Sequence, residues 1–202
     1  MSLDTTTTVV PARAAHVPTV ASVLAQAFQD DPVFAWAIPD PARRRTQLPG
    51  VFTAWAEIFQ PYEETYVTDD SAGAAMWAPD GAEPFAGEAG ELFARRVTEL
   101  LANDADRFLQ IGEIFQQYEP AQPWMYLQVI GVLPTHQGRG LGSRLLAPVL
   151  QRCDEACTPA YLEASSPHNR RLYERHGFRM IDEIVLPERG PAVWAMWREP
   201  GT

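Results

Sequence analysis

The sequence predicts an α/β fold (mixed α+β) built on one β-sheet that contains a parallel pair of strands. Strand and helix patterns alternate in the second half of the chain, where strands at 124–133 and 160–165 are joined by a helix. Strand patterns at 64–80 and 179–199 predict two hairpins, because short β-rich runs there are separated by turn residues. These observations together predict a mixed sheet rather than an all-helical or all-parallel one.

The first half of the chain is predicted to be mainly helical. A short strand opens it at 9–15, and a helix follows whose apolar residues recur three or four apart until Asp31-Pro32 ends it. A second helix is expected at 43–59, interrupted or restarted near Pro49-Gly50. Residues 84–119 carry two further helical patterns and form a helical insert between strands.

In the second half, Pro134 ends the long strand and a helix follows over 143–157. Its apolar stripe contains Leu145, Val149 and Cys153, and Pro148 should kink or shorten it. A short helix over 168–178 is closed by Gly177, a typical left-handed stop.

The 202 residues suit one domain. We expect a single domain over 9–202 after a disordered polar end at 1–8. No apolar run is long enough to span a membrane, and the start lacks a secretory signal. Cys153 and Cys157 are expected as neighbours on one helix face rather than a disulfide or metal pair, which favours a cytoplasmic location.

The charge pattern excludes several classes of function. A net charge of −10 argues against a general nucleic-acid or anionic-membrane binder. All 16 basic residues are arginines, so a P-loop lysine and a Schiff-base lysine are both excluded. Residues 134–180 nevertheless hold 7 arginines against 4 acids. That segment could receive an anion, or its charge could simply be scattered over a solvated surface.

The segment "VIGVLPTHQGRGLGSRLL", residues 129–146, places three glycines between a strand and a helix. Bare backbone at a helix N-terminus is a ready anion site, because free N–H groups and the helix dipole both favour negative charge. A tight turn that binds nothing is the alternative. A dinucleotide turn fails because its third glycine would come one residue early. The remaining pattern is Q/R-x-x-G-x-G/A, formed by Gln137, Gly140 and Gly142.

With "YLEAS" and "LYERHGF" following in order, residues 127–179 resemble the acetyl-CoA-binding core of the GNAT superfamily of N-acetyltransferases. Stretches such as "AMWAPDGAE" and "SPHNRRLYERHGF" make the whole chain similar to puromycin N-acetyltransferase and its relatives. The resemblance implies a GNAT fold, with a mostly antiparallel sheet, one parallel central pair and helices on both faces. It also implies acetyl-CoA as acetyl donor. The four histidines are scattered along the sequence, so no metal is expected.

The resemblance further implies roles for individual residues. Tyr173 would be the general acid near the sulfur, although a packed helix tyrosine is the alternative. Glu163 would be the base, with Gln128, a water chain or a plain strand glutamate as rivals. Many superfamily members have an asparagine seven residues before the tyrosine, where this chain has Ser166, so Asn169 would either cap its helix or reach the cofactor. The implied cofactor-binding residues are Ile130, Gly131, Val132, Gln137, Gly138, Arg139, Gly140, Leu141, Gly142, Ser143 and Asn169.

Acceptor recognition is expected from the first half and the insert. Carboxylates suit an amine and rings suit an apolar body, so the candidates are Asp31, Phe34, Trp36, Trp124 and Tyr126. The expected partner is a small-molecule amine, for which an aminonucleoside antibiotic is one candidate, and no nucleic acid or membrane. We expect a monomer or homodimer. A protein or peptide N-terminal acetyltransferase and a non-catalytic acetyl-CoA-binding module are the alternatives.

Overall fold

A computed structural model describes residues 7–201, which form one seven-stranded sheet between helices. The sheet order is β1-β2-β3-β4-β5-β7-β6, and β4–β5 is parallel whereas the other neighbouring pairs are antiparallel. The predicted mixed sheet with one parallel pair is therefore confirmed. The strands are β1 (Val9–Pro11), β2 (Thr65–Thr68), β3 (Gly73–Ala78), β4 (Met125–Val132), β5 (Ala160–Ala164), β6 (Arg179–Val185) and β7 (Ala192–Arg198).

Seven α-helices lie on the two faces of this sheet in the described part of the chain. They are α1 (Val17–Ala27), α2 (Pro32–Ala37), α3 (Pro41–Phe59), α4 (Gly87–Leu101), α5 (Ala105–Gln116), α6 (Leu141–Glu155) and α7 (Pro167–Arg175). One face packs against α1 to α5 and the other against α6 and α7. The two faces therefore have separate hydrophobic cores.

Three local expectations are corrected. The helix α3 runs through Pro49 without a break, because Leu48, Val51 and Phe52 around it are fully buried and hold the helix against the sheet. The helix α6 likewise continues past Pro148 to Glu155. Cys157 lies beyond the end of α6 in a left-handed conformation (φ 52°), so it does not share a helix face with buried Cys153.

The chain start contacts the β2–β3 turn. Thr7 Oγ1 donates a hydrogen bond to Asp70 at 3.1 Å, and Thr8 Oγ1 donates one to Asp69 at 2.5 Å. The rest of the segment expected to be disordered, residues 1–6, lies outside the described residues. Within 7–201, no helix combines the length and apolar character that crossing a membrane requires.

Candidate active site

The parallel strands β4 and β5 separate soon after they begin. They pair at Met125–Ala160 and Tyr126–Tyr161, and β4 then runs on to Val132 along β3 alone. A parallel neighbour would otherwise satisfy the polar groups on the second edge of β4. The separation therefore leaves a main-chain edge on which an extended ligand could lie as an added strand.

The alternation of the strand indicates which main-chain groups face this opening. The Leu133 N–H donates to the Ala72 carbonyl at 2.8 Å, so Leu133 faces β3. Because successive residues alternate, Gly131 also faces β3, whereas Ile130 and Val132 direct their main-chain groups to the opening. Gln137 Nε2 donates to the Val132 carbonyl at 3.2 Å, which is consistent with that assignment.

The glycine turn leads from β4 into α6. Gly138 (φ 75°) and Gly140 (φ 78°) adopt left-handed conformations, and a Cβ built on either would meet nothing within 4 Å. Glycine is therefore favoured at these two positions because the backbone is left-handed, and not because a side chain would lack room. Gly140 is the N-cap of α6 and has no side chain to cap the helix, so the first-turn amides from Leu141 to Ser143 are available to an anion.

Two other glycines have a different reason to be glycine. A Cβ at Gly142 would lie 3.1 Å from Leu172 Cδ2, and one at Gly131 would lie 2.8 Å from Ala27 Cβ. Gly142 thus lets α7 approach α6, and Gly131 lets α1 approach β4. Both glycines serve helix packing, so their expected contacts with the cofactor stay predictions.

The polar side chains around the turn are already engaged within the protein. Arg139 donates to the Thr135 carbonyl at 3.1 Å, and Arg144 donates to the Thr7 carbonyl at 2.9 Å; both arginines are exposed. Ser143 Oγ lies 2.8 Å from His176 Nε2, which ties the start of α6 to the end of α7. The turn suits a pyrophosphate because the first-turn amides of α6 have no side-chain cap.

Tyr173 lies on α7, on the sheet face that packs against α6. Its side chain is 5% exposed and its ring meets Phe178 edge-on at 6.0 Å. Burial, and the Asp31 carboxyl to a smaller extent, raise the pKa of the Tyr173 phenol above its ordinary value. The phenol is therefore protonated at neutral pH, as a general acid must be, but complete transfer of its proton to a thiolate is uphill.

Asp31 and Asn169 belong to one hydrogen-bonded network. Asp31 Oδ1 accepts from the first free amides of α2 at 2.9 and 3.2 Å, and Oδ2 accepts from the Ser165 hydroxyl at 2.5 Å. Asn169 Nδ2 donates to Ser165 Oγ at 3.3 Å, while Ser166 caps α7. This network links α2 to α7 across the end of β5. Acceptor contact by Asp31 and cofactor contact by Asn169 stay predictions.

Glu163 lies at the opening, two residues beyond the last position at which β5 pairs with β4. Tyr126 donates a hydrogen bond to Glu163 Oε2 at 2.6 Å, and Oε1 is buried with no partner among the described residues. The rings of Tyr126 and Tyr161 stack at 5.9 Å, and Trp124 stacks on Tyr161 at 5.9 Å. We call Glu163, Tyr126, Tyr161 and Trp124 the acceptor cluster.

The acceptor cluster changes the acidity of its carboxyl group. Burial raises the pKa of Glu163 to about 7, against the opposing effect of the hydrogen bond that Tyr126 donates. The nearby Glu119 carboxyl raises that pKa further. A carboxylate that titrates near neutral pH can take a proton from an ammonium group and release it again, as a general base must.

The other two predicted acceptor residues, Phe34 and Trp36, make packing and hydrogen-bond contacts within the protein. Phe34 is 6% exposed and stacks at 5.4 Å on Phe52, within the core of the first half. Trp36 donates from Nε1 to the Pro187 carbonyl at 3.1 Å, and the Arg107 guanidinium lies 5.4 Å above its ring. Arg107 and its contacts therefore clamp α2 to α5. Contact of Phe34 and Trp36 with the acceptor stays a prediction.

Two residues with contacts in this part of the molecule were not predicted from the sequence. Arg107 donates to the Trp36 carbonyl at 3.2 Å and pairs with Glu188 at 2.5 Å, so it joins α2, α5 and the β6–β7 loop. Tyr161, which is fully buried beside Glu163, was also missed. The alternation of "YLEAS" could have placed Tyr161 and Glu163 on one face, but nothing local indicates the Arg107 contacts. Within 7–201, no group of three or more metal-ligating side chains was found.

Comparison with known proteins gives a family match over most of the chain. A family model described as Acetyltransferase (GNAT) family matches residues 50–178. An uncharacterized N-acetyltransferase of Schizosaccharomyces pombe is 39% identical over 79 residues, which are 38% of this chain and 32% of that relative. The chain thus covers about a third of that relative's length.

Two solved structures share the fold over nearly their whole length. A histone acetyltransferase HPA2 and related acetyltransferase from Corynebacterium glutamicum has a TM-score of 0.73 at 27% identity, with 97% of each chain covered. A mosquito arylalkylamine N-acetyltransferase like 5b has a TM-score of 0.62 at 15% identity, covering 96% of this chain and 100% of that one. The second likeness is evidence of fold alone.

Proposed function

The chain belongs to the acetyltransferase (GNAT) family, and on that premise we propose that it transfers an acetyl group from acetyl-CoA to a primary amine of a small molecule. One observation carries the proposal. Glu163 places a buried carboxylate oxygen, which has no partner among residues 7–201, at the opening between β4 and β5, and the pKa of this carboxyl is about 7. This is where an amine would have to lose its proton before it attacks.

The main chain from β4 to α6 would hold the donor. Ile130 and Val132 would bind the pantetheine arm along the open edge of β4, and the amides of residues 138–143 would hold the pyrophosphate. Acetyl-CoA supplies the acetyl group as a thioester, whose carbonyl carbon the free amine attacks. A main-chain N–H of β4 at the opening would polarise the carbonyl oxygen of that thioester.

Two side chains would move the protons. Glu163 Oε1 would take the proton from the acceptor ammonium, and Tyr173 would donate its hydroxyl proton to the departing thiolate. The two residues belong to opposite sheet faces: Glu163 follows Tyr161 on the α2–α5 side, and Tyr173 packs on the α6–α7 side. Donor and acceptor would therefore approach from opposite sides and react in one ternary complex.

The acceptor side favours a small amine with an aromatic or apolar body. Three stacked rings border Glu163, and Arg107 joins α5 to the β6–β7 loop through its ion pair with Glu188. Trp124 Nε1 is buried without a partner among the described residues, so an acceptor oxygen would satisfy it. An aminonucleoside antibiotic offers such a combination of amine, ring and oxygen, and it is the first compound we would test.

Free-thiol release from acetyl-CoA, measured against a panel of amines that includes puromycin, tests the proposal. We expect release that depends on at least one amine with an aromatic body. Glu163→Gln should lower that rate about a hundredfold and leave acetyl-CoA affinity unchanged, because only the base is lost. Release from no amine in the panel, by a protein that binds acetyl-CoA, would contradict the proposal.

A protein or peptide amine is the second candidate. It is favoured by the likeness to the C. glutamicum histone acetyltransferase HPA2 and related acetyltransferase, since 27% identity extends over 97% of each chain. Peptides with free N-termini or lysines belong in the same panel. Preference for a peptide over every small amine would select this candidate, whereas the stacked rings beside Glu163 favour a small amine with an aromatic body.

A further inference from the structure

Tyr126 and Glu163 form the closest side-chain pair at the opening between β4 and β5. The Tyr126 hydroxyl donates to Glu163 Oε2 at 2.6 Å, whereas Oε1 is buried without a partner among the described residues. The two oxygens of one carboxylate are therefore not equivalent. One is held by the protein and the other is available to a ligand.

The fold fixes Tyr126 firmly. Tyr126 and Tyr161 are register partners in the last paired position before β4 and β5 separate, and their rings stack at 5.9 Å with an angle of 23°. Glu163 follows Tyr161 by two residues and so lies on the same strand face. The hydroxyl that holds Glu163 is thus set by the strand pairing itself.

We propose that Tyr126 is a positioning residue for the base: it holds Glu163 Oε2 so that Oε1 alone faces the acceptor amine. This proposal deepens the proposed function and rests on it. It replaces direct acceptor contact as the main task of Tyr126. Oε1 accepts the proton from the ammonium, and the Tyr126 proton stays on its own oxygen throughout.

Other groups around the pair must be considered. Tyr161 lies beside Glu163 and donates to the Tyr118 carbonyl at 3.4 Å, and Glu119 follows directly along the chain. Burial is the main cause of the raised pKa of Glu163, Tyr126 and Tyr161, and the negative charge of Glu119 raises all three further. The neighbouring Tyr161 hydroxyl lowers the pKa of Glu163, and Asp182 adds to the rise for Tyr161. All of these groups remain in place when the Tyr126 hydroxyl alone is removed.

Tyr126→Phe tests the proposal through pH dependence. Loss of a donor to a carboxylate disfavours its charged form, so the midpoint of Glu163 should rise by about one pH unit. With one acceptor amine used throughout, kcat should fall about fivefold at pH 7 and recover above pH 9, with KM for acetyl-CoA unchanged. A purely structural role for Tyr126 would lower activity without moving the midpoint.

Tyr66→Phe is the matched control. Tyr66 also donates to a glutamate, Glu64 Oε2, at 2.9 Å, and it packs on the α6 face away from the acceptor cluster. Its removal should leave the midpoint unchanged. A second variant with 2,3-difluorotyrosine at position 126 keeps the shape of the ring but makes the phenol a stronger donor, so it should lower the midpoint.

A carbon-13 NMR titration of the Glu163 carboxyl, assigned by its loss in Glu163→Gln, gives the midpoint without any turnover. If wild-type protein acetylates no amine, the proposed function fails while this titration still decides the pairing. A higher midpoint in Tyr126→Phe and a lower one in the fluorinated variant support the proposal. An unchanged midpoint in both variants would overturn it.

Discussion

The proposed donor and acceptor sides of this site are built in different ways. The donor side uses main-chain groups of one continuous segment, from β4 through the glycine turn to α6. The acceptor side uses side chains from separate segments, since Trp36, Arg107, Tyr126 and Glu163 lie far apart in the chain. A site formed by main-chain groups requires glycines at a fixed spacing, so a local sequence pattern can predict it. A site formed by side chains from distant segments leaves no local pattern, so the way in which those side chains come together cannot be predicted from the sequence.

The largest effect is expected when a negative charge is added to the donor side alone. Gly140→Asp introduces a carboxylate at the left-handed N-cap of α6, where it would repel a pyrophosphate and strain the turn. We expect acetyl-CoA to bind at least about a hundredfold more weakly by titration calorimetry.

Gly81→Asp is the matched control for that change. Gly81 has a similar φ of 73° and equally open surroundings, but it lies in the loop between β3 and α4. The same charge and strain there should leave acetyl-CoA affinity unchanged. Equal losses in both variants would show that strain, rather than position, causes the effect.

Tyr173→Phe tests whether the donor side also supplies an acid. We expect thiol release at saturating substrates to fall about thirtyfold, below the full range for a general acid because burial already makes the transfer uphill. Tyr62→Phe, on the short turn after α3, is the control. A full rate in Tyr173→Phe with normal acetyl-CoA binding would remove the acid role.

Glu163→Gln should make the protein more stable at neutral pH. Burial raises the pKa of Glu163 from an ordinary value of 4.5 to about 7, so the folded state resists ionisation of this carboxyl. The contribution of the protonated Glu163 carboxyl to stability is complete below pH 4.5 and is lost as the pH rises through 7. We expect a gain of about 1–2 kcal/mol in the free energy of unfolding at pH 8 and none at pH 4, by urea denaturation at both values. If Glu163→Gln is less stable than the wild type at pH 8, burial does not disfavour the charged form of this carboxyl.

Arg107→Ala should affect the acceptor side alone. It removes the contacts that hold Trp36 and Glu188 together, so the acceptor KM should rise about fivefold while the KM for acetyl-CoA stays constant. Arg96→Ala, which breaks a surface ion pair with Glu57, is the control and should change neither constant. A rise in both KM values would contradict the separation of the two sides.

Much of the fold could be predicted from local sequence. The alternation of strand and helix around "QGRGLG" predicts the parallel pair, and the hairpins follow from turn residues between β-rich runs. The continuous α3 could not be predicted, because the burial of Leu48, Val51 and Phe52 that holds it together at Pro49 is a tertiary effect. Propensity alone predicts a break there.

Only those parts of the candidate site that are formed by residues close together in the sequence could be predicted. The left-handed Gly138 and Gly140 and the position of Glu163 on β5 follow from short patterns. The Ser165–Asp31 bond joins residues 134 apart, and the Arg107–Glu188 pair joins residues 81 apart, so no window of sequence reveals them. Capping of α2 by Asp31 was signalled by the following proline, which is favoured at the first helical position.

A crystal structure of the chain soaked with coenzyme A tests the central claim most directly. The account predicts the pyrophosphate within hydrogen-bond distance of amides between residues 138 and 143, with the pantetheine arm along Ile130 and Val132. Coenzyme A bound away from this turn, or amides there that point into the protein, would contradict it.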